Sequence, residues 1–208
     1  MPRFRLSSLR LAALAAALLG VGAADAAAVT FALTDKAGKP LEEGVALLVP
    51  VGTKAPPVKP LADAELSQSK RQFHPRVTVV TVGTKVAFPN FDTVRHHVYS
   101  FSAIKTFELK LYAGVPTAPV LFDKPGVAVL GCNIHDSMAA WVVVSDTPWY
   151  AKSGADGKAR IEGVPAGNYE LHLWHPGLAP GVEPAPVALT VGSADLERSG
   201  QIAVTDAP

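Results

Sequence analysis

Cysteine is almost absent from this chain of 208 residues; the single one is Cys132. Charge of one sign is lacking as well. The formal balance is +1, so no basic excess points to nucleic acid as a partner. No apolar run is long enough for a membrane helix. The stretch 11–24 holds about 14 residues where roughly 20 are needed to span a bilayer. Preceded by Arg3, Arg5 and Arg10 and followed by the small-x-small triplet Ala24-Asp25-Ala26, that stretch predicts a secretory signal over residues 1–26. Its removal takes three arginines and one aspartate and turns the formal +1 into −1. The expectation is an exported, periplasmic protein with no membrane span after signal removal. Export makes the lone thiol informative. Secreted proteins usually pair their cysteines, so an odd one suggests a reactive thiol, an intermolecular bond or a metal ligand.

What surrounds the thiol narrows these choices. In Gly131-Cys132-Asn133-Ile134-His135-Asp136-Ser137-Met138, a thiol, an imidazole and a thioether stand three residues apart. Two imidazoles and a thiolate with a weak axial methionine make the trigonal arrangement of blue-copper electron-transfer sites. The loop lacks one histidine, and His96-His97 lies upstream to supply it. Cu(I) and Cu(II) prefer different geometries, so fast electron transfer needs ligands that barely move. A short loop fixes three of them by connectivity. A dinuclear copper centre bridged by two cysteines is excluded. Zinc suits Cys and His, but a thioether is a poor ligand for it.

Residues 132–138 resemble the ligand loop of the cupredoxins, with the short Cys-x-x-His-x-x-Met spacing of amicyanin-type members. Val86-Ala87-Phe88-Pro89-Asn90, with His96-His97-Val98 following, resembles the cupredoxin strand that leads to the first ligand. Phe73-His74-Pro75, then Val79, Gly83-Thr84 and Val86, resembles the opening strand. Residues 90–101, the ligand loop and Asp146-Thr147-Pro148-Trp149-Tyr150-Ala151 are also similar to a bacterial family often labelled methylamine utilisation protein. The resemblance covers roughly residues 70–175. It implies copper ligands His96, Cys132, His135 and Met138, with His97 as the alternative to His96. His96 has the expected register, six residues after Asn90 and two before Val98. Adjacent strand residues face opposite sides, so both histidines enter one site only if a bulge intervenes. His97 is then expected to donate a hydrogen bond that stiffens the ligand loop. The resemblance further implies that electrons leave through the edge of His135 at an apolar surface. Asp136, and Ser137 where related chains often carry Trp, limit that surface.

The remainder reads as short strands. Runs at 77–82, 85–88, 97–101, 106–111, 120–122, 127–130 and 141–144, with Gly or Pro near most breaks, predict a β-sandwich or barrel. Residues 61–66 suggest one or two helical turns, and 50–60 a linker rich in Pro, Gly and Lys. Toward the N-terminus, Val29-Thr30-Phe31-Ala32-Leu33 alternates and 45–49 is a buried-strand run, with turn residues at 35–40 between them. Residues 156–174 give two turns, each leading into a strand. These flanks resemble the two halves of a transthyretin-like, carboxypeptidase-regulatory-type β-sandwich. Neither has strands enough to close alone. The expected class is therefore all-β: a cupredoxin Greek-key β-sandwich or barrel inserted in a small transthyretin-like β-sandwich. The expected boundaries are 1–26 signal peptide, 27–52 and 147–208 the split sandwich, and 53–146 linker and cupredoxin unit.

The function expected is a periplasmic type 1 copper protein, not an enzyme, that carries single electrons between periplasmic redox proteins. A copper carrier is the first alternative, but it favours Met-rich sites and only two methionines exist, one of them the initiator. A hydrolase with Cys132 as nucleophile and a histidine base is the second. It lacks an evident third orienting group and an obvious oxyanion hole. His74, His172 and His175 read as ordinary histidines, the last two three apart on one predicted strand.

Overall fold

The computed structural model describes residues 26–205 apart from Thr117 and Asp136. The predicted signal peptide, Ala26 aside, lies outside the described residues, and so does Asp136 of the ligand loop. The described chain is all-β, with seventeen strands and no helix, and no helix is long and apolar enough to cross a membrane. In chain order the strands begin with β1 (Ala26–Thr34), β2 (Val45–Pro50), β3 (Ala64–Glu65), β4 (Ser67–Ser69), β5 (Gln72–His74) and β6 (Val77–Thr81). Then come β7 (Thr84–Ala87), β8 (His96–Ser102), β9 (Lys105–Tyr112), β10 (Val120–Phe122), β11 (Gly126–Gly131) and β12 (Ala139–Ser145). The chain closes with β13 (Tyr150–Lys152), β14 (Lys158–Pro165), β15 (Gly167–Trp174), β16 (Val187–Val191) and β17 (Leu196–Gln201).

Strands from the two ends of the chain share sheets. β1 lies between β14 and β17, and a second sheet runs β13-β2-β15-β16. The alternation of β1 explains its place: Val29, Phe31 and Leu33 point into a core with Leu48, Ile161, Tyr169 and Leu171. Asp35 makes the turn after it, its carboxylate accepting the N–H of Ala37 and of Lys39 at 2.8 Å each.

The middle of the chain builds its own sheets. Five strands run β6-β12-β11-β8-β9 and three run β10-β7-β3, with a small β4-β5 hairpin beside them. Their core holds Leu66, Phe73, Val80, Val86, Phe88, Val98, Phe122 and Leu130, together with Cys132 and Met138. A third cluster joins the two regions: Val45, Val77 and Val143 are buried together, with Trp141 and Trp174 packed at its edge.

The suggested helical turns at 61–66 do not form. Ala64–Glu65 instead adds to β7 as a parallel strand, with Leu66 N–H donating to Ala87 O at 2.9 Å. An extended path fully buries the Leu66 side chain. That burial is worth about 1.5–3 kcal/mol, more than two isolated helical turns offer against their nucleation cost.

Candidate metal centre

Three devices position the candidate ligands. The first is the hairpin β11–β12. Its strands pair out to Gly131↔Ala139, so residues 132–138 form the loop that closes it. Met138 N–H donates back to His135 O at 3.0 Å, a turn that brings the second half of the loop round. Gly131 leaves room at its base for a neighbouring ring. A Cβ there would stand 2.7 Å from the ring of Tyr99, whose side chain lies across the strand end.

The second device is Asn90. Its side-chain amide donates to Val94 O at 2.9 Å and to Tyr112 O at 3.0 Å. Its Oδ1 accepts the N–H of Asp92 at 2.9 Å. One buried amide thus shapes the 90–95 loop and ties it to the end of β9.

The third device is a bulge at the start of β8. His96 pairs with Tyr112, but Val98 pairs with Leu109, so the register shifts between them. Strict alternation would expose one of His96 and His97. The bulge lets both be buried, yet they go to different surroundings. His96 Nδ1 stands 3.8 Å from Cys132 Sγ. The His97 ring lies 5.6 Å from that of Tyr99, with Nε2 2.9 Å from Glu108 Oε1. That contact is off the line of a hydrogen bond. The expected bond from His97 to the ligand loop is not formed with any described residue of that loop; the group facing its Nε2 is Glu108 on β9.

His96, Cys132 and His135 each offer one ligand atom, and these lie within 4.8 Å of one another. The two imidazoles face each other with centroids 5.1 Å apart. Cys132 is 4% exposed and unpaired. Met138 is buried in the same apolar cluster as the thiol. His74 and His172 stand elsewhere, beside Ser69 O and Glu170 respectively. His175 lies past the end of β15 rather than on it, and bonds to Glu42 O and to the N–H of Gly177 at 2.9 Å each. Its burial pushes its pKa down.

The residues fit a soft or borderline metal ion. His135 Nδ1 is buried and has no hydrogen-bond partner, a costly state for a polar atom unless something else occupies it. His96 Nε2 is engaged by Asp92 Oδ2 at 2.7 Å, which leaves Nδ1 as the nitrogen turned to the thiol. Thiolate, two imidazoles and a nearby thioether form a donor set suited to copper.

Asp92 is one residue at the candidate site that sequence reasoning missed. Its carboxylate accepts from His96, from Lys70 N–H at 2.6 Å and from Arg71 N–H at 2.9 Å. Burial opposes its charge, but these donors outweigh that, and its carboxyl sits below the usual range. The i, i+4 spacing from Asp92 to His96 gave no signal, because it brings side chains together on a helix and residues 92–95 form a loop. A second missed group is Tyr112, whose hydroxyl donates to Phe88 O at 2.6 Å and meets Gln68 Nε2. Burial pushes its pKa up to about 12.

No protein-family model matches the chain, and no curated protein does. Solved structures similar to part of it include a purple cupredoxin from Nitrosopumilus maritimus, 23% identical over 40% of this chain and 100% of that one, with a TM-score of 0.36. A Cu-containing nitrite reductase from Thermus scotoductus SA-01 is 25% identical over 56% of this chain and 28% of its own, with a TM-score of 0.38. Amicyanin from Paracoccus versutus is 17% identical over 42% and 92%, with a TM-score of 0.34.

Proposed function

We propose that this chain is an exported type 1 copper protein that carries single electrons between periplasmic redox partners, with His96, Cys132, His135 and Met138 as the ligand set. The observation that carries the reading is the convergence of a buried thiol and two imidazoles, one of them with a buried, unpartnered Nδ1. Copper bound there supplies a one-electron couple. The protein's part is to hold the donors still and dry. Cys132 sits at the end of a strand, shielded from oxidants and from other thiols. His96 is fully buried and held from behind by Asp92. His135 is only partly buried and is the member through which an electron reaches the surface. Ile134 beside it is exposed, as are Phe91, Val94 and Val115 on loops that meet at the Asn90–Gly114 bridge. Apolar side chains of this kind suit brief contact with a redox partner. We also propose the division into a signal at 1–26, a split sandwich at 27–52 and 147–208, and a copper unit at 53–146.

One observation favours the hydrolase reading. Asp92, His96 and Cys132 line up as an acid, an imidazole and a thiol, which supplies the orienting group the sequence did not reveal. Two features weigh against it. The thiol is almost wholly buried, and a nucleophile needs access. The second imidazole, His135, has no role in such a triad.

Cys132→Ser decides between them. Wild-type protein should take up one copper per chain and develop strong visible absorption from thiolate-to-copper charge transfer. The serine variant should stay folded and colourless. A colourless wild type that cleaves an ester or thioester, with the activity lost in the serine variant, would put the nucleophile in copper's place.

A further inference from the structure

The turn joining β4 to β5 is unusual. Ser69 pairs with Gln72, which leaves Lys70 and Arg71 as a two-residue loop. Both are left-handed, with φ of 52° and 57°. Such turns favour Asn and Gly, because side chains are strained there. This loop has neither. Its two N–H groups instead point at one acceptor, the Asp92 carboxylate, at 2.6 and 2.9 Å. The same carboxylate accepts from His96 Nε2 at 2.7 Å. Asp92 thus joins a turn some twenty residues upstream to the fully buried imidazole.

We propose that Asp92 is a positioning residue for the metal centre: its carboxylate, held by the Lys70–Arg71 turn, keeps the proton of His96 on Nε2 so that the Nδ1 lone pair faces Cys132, and sets a negative charge behind that ligand. The inference rests on the type 1 copper reading of the site. The chemistry is direct. An ionised carboxylate only accepts hydrogen bonds, so the shared proton belongs to Nε2 and Nδ1 is left free as a donor atom. A carboxylate behind a ligating histidine also raises the basicity of the ligand. Its negative charge favours the more positive, oxidised state of the centre and so lowers the reduction potential. The turn gives this arrangement its stiffness. Asp92 cannot rotate away from His96 without leaving the N–H groups of two strained residues unpaired.

Two variants test it. Asp92→Asn keeps an acceptor of the same shape but removes the charge. It should retain copper and the charge-transfer band while the reduction potential moves upward. Asp92→Ala removes the acceptor and should weaken copper binding by about 10–100-fold, measured by competition with a chelator. In the metal-free protein, nitrogen-15 shifts of His96 should report the Nε2–H tautomer in the wild type and a tautomer mixture in Asp92→Ala. A fall in thermal midpoint with potential and tautomer both unmoved would overturn the proposal, since Asp92 would then only brace the turn. The two readings fail separately. A wild type that binds copper without a charge-transfer band contradicts the type 1 site, while the metal-free tautomer still judges what Asp92 does to His96.

Discussion

His96→Ala should abolish the charge-transfer band, whereas His97→Ala should keep it and lower stability through the cavity that the buried ring leaves. The two side chains are neighbours in sequence and both buried, but only His96 stands beside the thiol; His97 stands beside Glu108. Visible spectra of the two copper-loaded variants check this, and the reverse pattern would move the ligand by one residue. Met138→Leu should keep copper and colour and change the reduction potential, because an axial thioether bond is long and weak. Leucine conserves the volume of a fully buried side chain, so the stability cost should stay below about 1.5 kcal/mol. Much at this scale was legible in the sequence. The loop spacing pointed to Cys132 and His135, and the register of the resemblance, counted from Asn90, pointed to His96; the structure brings these three together as a candidate cluster. Asp92 was not legible. Its partners Lys70 and Arg71 meet it only through a tertiary contact, and a lone aspartate in a polar loop reads as a solvated charge.

Among the elements, the end of β9 carries the clearest pH dependence. Tyr112 is half-buried and bonded to Phe88 O and Gln68, and burial pushes its pKa up from the ordinary value of 10 to about 12. The fold therefore favours the protonated phenol. That contribution is full below pH 10 and is lost as pH rises through about 12. Tyr112→Phe should flatten the alkaline fall of the unfolding midpoint above pH 10. At neutral pH it should cost about 1–3 kcal/mol, because Phe88 O loses a donor. Denaturant titrations at pH 7, 10 and 11.5, all chosen about those values, check both. Strand prediction succeeded at several apolar runs that met a Gly or Pro break, as at 127–130 before the ligand loop, but it passed over β16, which lies between Pro186 and Gly192. It failed at 61–66. There local propensity was weak, and the free edge of β7 decided the conformation. The bulge in β8 was also hidden, since nothing in His96-His97-Val98 marks where an extra residue leaves the ladder.

For the whole molecule, the all-β class was legible because short apolar strands with frequent turn residues leave no room for a helix period. The path of the chain between sheets was less so. β1 and β2 pair with strands more than a hundred residues downstream, and only their shortage of local partners hints at it. The cluster of Val45, Val77 and Val143, with Trp141 and Trp174 6.3 Å apart at its edge, then joins the two regions. This gives the ligand loop a firm base, since β12 both leaves the loop and carries Val143 and Trp141. A stiff base is what a one-electron carrier requires. The most direct test is a reductive titration of copper-loaded wild-type protein, followed in the visible band. The expected result is full bleaching by one electron per chain and full recovery on reoxidation, through repeated cycles. A band that never forms, or copper that leaves the protein on reduction, would contradict an electron carrier at this site.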